Sequence, residues 1–70
     1  MTLYELLDAL DCHTNLSILN VSRGEYYIDD DHESSALDDI DILEPWFNHR
    51  VDYIKVKGKN RVYIEIITIY

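Results

Sequence analysis

A chain of 70 residues holds one domain and buries only about 60% of its extended-chain surface, so its stability is thin unless something staples or pairs it. One cysteine, Cys12, excludes an internal disulfide and suits a reducing cytosol, and no apolar run reaches the ~18 residues of a bilayer-spanning helix. A hydrophobic content of 47% excludes a disordered chain, and a net charge of −8 disfavours direct nucleic-acid binding.

Thr2-Leu3-Tyr4-Glu5 reads as a capping box, and Leu3, Leu6, Leu7 and Leu10 follow it as one apolar helical stripe. Cys12-His13-Thr14-Asn15 ends that helix. Residues 16–28 predict a β-hairpin, aliphatic from Leu16 to Val21, turning at Ser22-Arg23-Gly24-Glu25 and returning through Tyr26-Tyr27-Ile28. An acidic loop follows. Ser34 or Ser35 then caps a short helix carrying Leu37, Ile40 and Leu43, stopped by Pro45, with Trp46-Phe47 as a core anchor, while the alternation of Ile40-Asp41-Ile42 also fits a strand. Residues 51–69 predict a second hairpin. A three-residue loop, Gly58-Lys59-Asn60, pairs Val56 with Val62, Ile54 with Ile64 and Asp52 with Ile66, and places Asn60 in the left-handed region. The expected architecture is α+β: an N-terminal helix on an antiparallel sheet of about four strands, with a short second helix, in a single domain spanning 1–70.

Charge is segregated along this chain. Residues 25–44 hold nine carboxylates and no Lys or Arg, whereas residues 50–61 hold five of the six basic side chains. A single-sign surface projects a field that selects partners and speeds encounter. Dense carboxylates on an extended chain approach the ~3.4 Å spacing of phosphates along a DNA strand, so this segment suits the basic groove of a nucleic-acid-handling protein. The candidate partner-binding residues are Asp29, Asp30, Asp31, Glu33, Asp38, Asp39, Asp41 and Glu44, with Tyr27 and Trp46 as aromatic anchors.

Other chemistry is weakly represented. Asp29, Asp31 and Glu33 begin a calcium-loop pattern, but Ser34 replaces its glycine and Ile40 its bidentate glutamate. Cys12, His13, His32 and His49 lack zinc-ligand spacing, and no nucleophile motif or phosphate loop occurs, so neither a cofactor nor catalysis is expected. A different reading draws on the basic hairpin: Lys55, Lys57, Lys59 and Arg61 meeting phosphate while Tyr53 or Tyr63 stacks on a base, in an oligomer that sequesters a nucleotide-type ligand. A structural or assembly protein is a third.

The tail Ile66-Ile67-Thr68-Ile69-Tyr70 is apolar on both faces, which predicts either a central strand or a subunit interface. Ile67 and Ile69 alternate outward with Tyr63, and these three form the expected homodimer interface.

Two stretches together, Thr2-Leu3-Tyr4-Glu5-Leu6-Leu7 and Val51-Asp52-Tyr53-Ile54-Lys55-Val56 with Arg61-Val62-Tyr63-Ile64-Glu65-Ile66, resemble the short acidic proteins of phages and mobile elements of Gram-positive bacteria. The resemblance spans about half the chain. It implies a host-cell cytoplasmic protein. Because some such proteins are anti-CRISPR or other anti-defence inhibitors that mimic nucleic acid, it also implies a non-enzymatic inhibitor of a host defence nuclease.

Overall fold

A computed structural model describes residues 1–11, 13–29 and 36–68, and only the backbone of Ala36 and Leu37. The expected cap at Ser34 or Ser35 and the expected inward face of Leu37 lie outside the described residues. The elements run α1 (Leu3–Ala9), β1 (Asn15–Asn20), β2 (Glu25–Ile28), α2 (Ala36–Leu43), a 3₁₀ turn (Glu44–Trp46), β3 (Arg50–Val56) and β4 (Arg61–Ile67). The fold is α+β, as expected.

α1 begins where its capping box closes. The Thr2 N–H donates to Glu5 Oε1 at 2.9 Å, and the Glu5 N–H donates to Thr2 Oγ1 at 3.3 Å. Two more free amides of its first turn find distant carbonyls: Leu3 N–H donates to His49 O at 2.8 Å and Tyr4 N–H to Phe47 O at 3.1 Å. α1 is thereby tied at its N-terminus to the loop after the 3₁₀ turn. It stops at Ala9, before the expected breaker, because Leu10 is already extended; His13 N–H then donates to Asp11 Oδ1 at 2.8 Å, an Asx-type turn.

Both expected hairpins form, and the four strands lie in the order β2-β1-β4-β3. The expectation of a wholly antiparallel sheet is corrected: β1 and β4 run parallel, in register from Asn15↔Arg61 to Asn20↔Ile66. The connection through α2 returns the chain so that its last strand, not β3, meets β1. Side-chain chemistry accounts for the choice. β4 carries Val62, Ile64, Ile66 and Ile67, with charges only at Arg61 and Glu65, and suits an interior position, whereas β3 carries Arg50, Asp52 and Lys55 and suits an edge.

Within the second hairpin, Val56↔Val62, Lys55↔Tyr63, Ile54↔Ile64 and Tyr53↔Glu65 pair as expected. Asp52 does not face Ile66. The register shifts between Val51 and Tyr53, and Val51 takes that place. The bulge keeps a carboxylate from standing opposite the fully buried Ile66 and supplies an apolar partner instead. The loop corrects a second detail: Gly58 carries the positive φ, at 91°, and among the described residues only glycines have a positive φ. Asn60 is held elsewhere, its Nδ2 donating to His13 O at 2.9 Å and its carbonyl accepting from Asn15 N–H at 2.8 Å.

Both helices cover one sheet face. Leu3, Leu6 and Leu7 of α1 and Leu43 of α2 enclose Leu16, Ile18, Ile28, Val62, Ile64 and Ile66, and Leu10, Tyr27, Trp46, Phe47 and Val51 pack around them. On α2 the inward positions are Leu43 and Asp39, while Ile40 turns toward α1. Cover ends before the outer part of β3, so Ile54 and Val56, which share the face of Ile64 and Val62, remain 41% and 71% exposed. Among the described residues no helix is long and apolar enough to cross a membrane.

Candidate protein-binding surfaces

The helical layer is acidic throughout. α1, α2 and the 3₁₀ turn carry Glu5, Asp8, Asp38, Asp39, Asp41 and Glu44 and no Lys or Arg. Asp29, Asp38, Asp41 and Glu44 are exposed as expected of partner-binding residues, whereas Asp30, Asp31 and Glu33 lie outside the described residues. Asp39 is a correction. It is 1% exposed and engaged within the fold, because α2 packs on the sheet along its Asp39–Leu43 side, so it offers no charge to a partner.

The expected aromatic anchors are also rearranged. Tyr27 and Trp46 stack on each other, with ring centroids 4.1 Å apart and planes 25° apart, and both are half-buried. The Tyr27 hydroxyl accepts from Asn20 Nδ2 at 2.8 Å. Their stacking joins β2 to the 3₁₀ turn and leaves only part of each ring for another molecule.

An apolar surface that the sequence reading missed opens between the helices. Tyr4, Leu7, Asp8 and Leu10 from the first helical segment face Ile40 and Phe47 across a groove of about 410 Å³. Phe47 lies against Tyr4, ring centroids 5.2 Å apart. The available signal was Tyr4 itself, a large aromatic one position off the leucine stripe and hence on the flank of α1.

The opposite sheet face carries the basic hairpin. Tyr53 and Tyr63 meet edge to face at 6.4 Å, and Lys57 Nζ lies 4.8 Å from the Tyr63 ring centroid. Arg61 Nη1 donates to Ser17 Oγ at 3.0 Å and to Leu16 O at 3.2 Å. The Tyr63 hydroxyl donates to Glu65 Oε2 at 2.7 Å. These residues do come together, but around a carboxylate and largely bonded to one another. That arrangement stabilises a cross-strand ladder more than it prepares a phosphate site. Ile67 and Tyr63, two of the expected interface residues, are half-buried on this face; Ile69 lies outside the described residues.

Among the described residues no three His, Cys, Asp or Glu side chains are grouped to hold a metal. The chain matches no known protein family, no curated protein and no solved structure.

Proposed function

We propose that this protein is a non-enzymatic inhibitor that acts in the cytoplasm by binding a basic, nucleic-acid-handling protein through its helical layer. The observation that carries the reading is the joining of two features on that layer: an apolar groove between α1 and α2, and carboxylates with no basic side chain on either helix. A well-packed apolar centre supplies binding energy, and a single-sign rim supplies steering and selects a basic partner. A host defence nuclease, such as a CRISPR effector, has the arginine- and lysine-rich groove that such a rim complements. Homodimerisation through the outer face of β4 leaves the helical layer open in both copies.

The experiment is affinity capture from bacterial lysate, with duplex DNA as competitor and elution by stepped salt. A nucleic-acid-binding protein that is displaced by the DNA and eluted by salt supports the reading. The variant Asp41→Asn/Glu44→Gln should weaken that capture while unfolding at the parent's denaturant midpoint. Equal capture by parent and variant would sink nucleic-acid mimicry.

A further inference from the structure

β3 is an outermost strand among the described residues, and its free side is only partly occupied. Val51 N–H donates to Met1 O at 2.9 Å and Thr2 bridges Arg50, so the first two residues lie along the start of the strand. Beyond them no described residue occupies the lane. Lys57 N–H donates to Arg61 O at 2.8 Å, which makes that pair a hydrogen-bonded one. By the alternation of an antiparallel ladder, Lys55/Tyr63 and Tyr53/Glu65 are bonded too, and Ile54 and Val56 turn their N–H and C=O groups to the open side. At the head of the lane Met1, Val51, Asp52, Tyr53 and Ile54 line a hollow of about 190 Å³.

The side chains flanking this lane are sorted by face. On the helical side stand Ile54 and Val56, both exposed; on the other stand Tyr53, Lys55 and Lys57. An added strand would set its own alternate side chains beside these. Apolar residues fit opposite Ile54 and Val56, and carboxylates fit opposite Lys55 and next to Lys57.

A second copy of β3 fits poorly. A two-fold axis normal to the sheet keeps each face on its own side, so only registers centred on a residue are possible. Centring on Ile54, or anything nearer Arg50, drives one copy's Lys57 into the lane already held by the other copy's Met1 and Thr2. Centring on Lys55 opposes lysine to lysine, and centring on Val56 opposes Lys55 to Lys57; like charges directly across a ladder repel.

We propose that the open edge of β3 is a docking lane for an extended protein segment of alternating aliphatic and acidic residues, added as a fifth strand beyond Met1. The lane is separate from the acidic helical layer, so one protein can hold a basic surface on one side and an acidic strand on the other.

The test titrates the full chain, labelled for NMR, with a capped hexapeptide alternating Glu and Val. The expected result is slowed hydrogen exchange at the Ile54 and Val56 amides, with shifts confined to β3 and Met1. A Lys/Val peptide of the same length should leave those amides unprotected. Lys55→Glu/Lys57→Glu should weaken the acidic peptide about tenfold, the combined worth of two exposed cross-strand pairs. Val56→Pro removes an amide that points away from β4, so the sheet keeps its ladder while the lane loses a donor; this variant should remain folded and fail to bind. The proposal is overturned if neither amide is protected at about 1 mM peptide, the affinity scale of weak contacts. It is also overturned if the Lys/Val or backbone-N-methylated peptide binds equally well, or if the amides are protected without peptide in proportion to protein concentration, which would mean self-pairing.

Discussion

Asn20 is the residue whose role was least apparent before the fold was known. It is fully buried, and its amide is completely used: Nδ2 donates to Tyr27 OH at 2.8 Å and to Thr68 Oγ1 at 3.0 Å, and Oδ1 accepts from Arg23 N–H at 3.2 Å. The side chain therefore joins the first hairpin, its turn and the end of β4. Asn20→Ala leaves buried polar groups without partners, and a loss of about 1–3 kcal/mol is expected in denaturant unfolding. At the other end of the chain, Thr2→Ala removes a helix cap and should cost ~1 kcal/mol. Glu5 adds a pH dependence. The Thr2 N–H, and then the Thr2 hydroxyl, favour its ionised form and hold its carboxyl below the usual carboxylate range. Its contribution is thus present above the ordinary carboxylate pKa and is lost as pH falls through the lowered value. Glu5→Gln should flatten that acid limb of the stability profile; an unchanged limb would show that the reciprocal cap contributes nothing to it.

At the scale of elements, the second hairpin shows how turn chemistry and register divide the work. Gly58 adopts φ 91°, a region where a Cβ is strained even though no described atom beyond its own chain neighbours lies within 4 Å of where it would stand. Gly58→Ala should therefore destabilise the protein by about 1–2 kcal/mol through the backbone alone. Asn60→Ala should also cost stability, but by a separate route, the loss of the bond to His13 O. Combining the two in one chain distinguishes the routes, since independent effects add. The bulge at Asp52 belongs to the same scale. One extra residue lets Val51 occupy the inward place beside Ile66, an outcome that strict alternation cannot supply.

At the scale of the whole molecule, the two sheet faces differ in charge. The helical side is acidic, and the uncovered side holds Lys55, Arg61, Tyr63 and Ile67 around Glu65. Self-association of a chain with net charge −8 is least opposed on that second side. A standard interface of ~800 Å² per partner would cover about a sixth of the 4574 Å² of accessible surface. Ile67→Lys, half-buried on that face, should convert the proposed homodimer to a monomer at tens of micromolar, as measured by light scattering. A monomeric parent protein would remove the dimer and leave both docking proposals in place.

What the sequence determined by itself was local. Cap and stripe gave α1 because Thr2, Glu5 and the leucines interact within three or four residues, and alternation around Gly58 set most of the β3–β4 register because a short loop leaves few choices. The segregated charge was legible for the same reason. Tertiary structure alone decided the parallel meeting of β1 with β4, the inward turn of Asp39, the groove beside Tyr4 and the network around Asn20. Each of these depends on segments far apart in the chain, such as Asn20 and Thr68, separated by 48 positions. Such meetings leave no period in the sequence. They are settled by which strand best tolerates burial on both faces, and β4 does so better than β3.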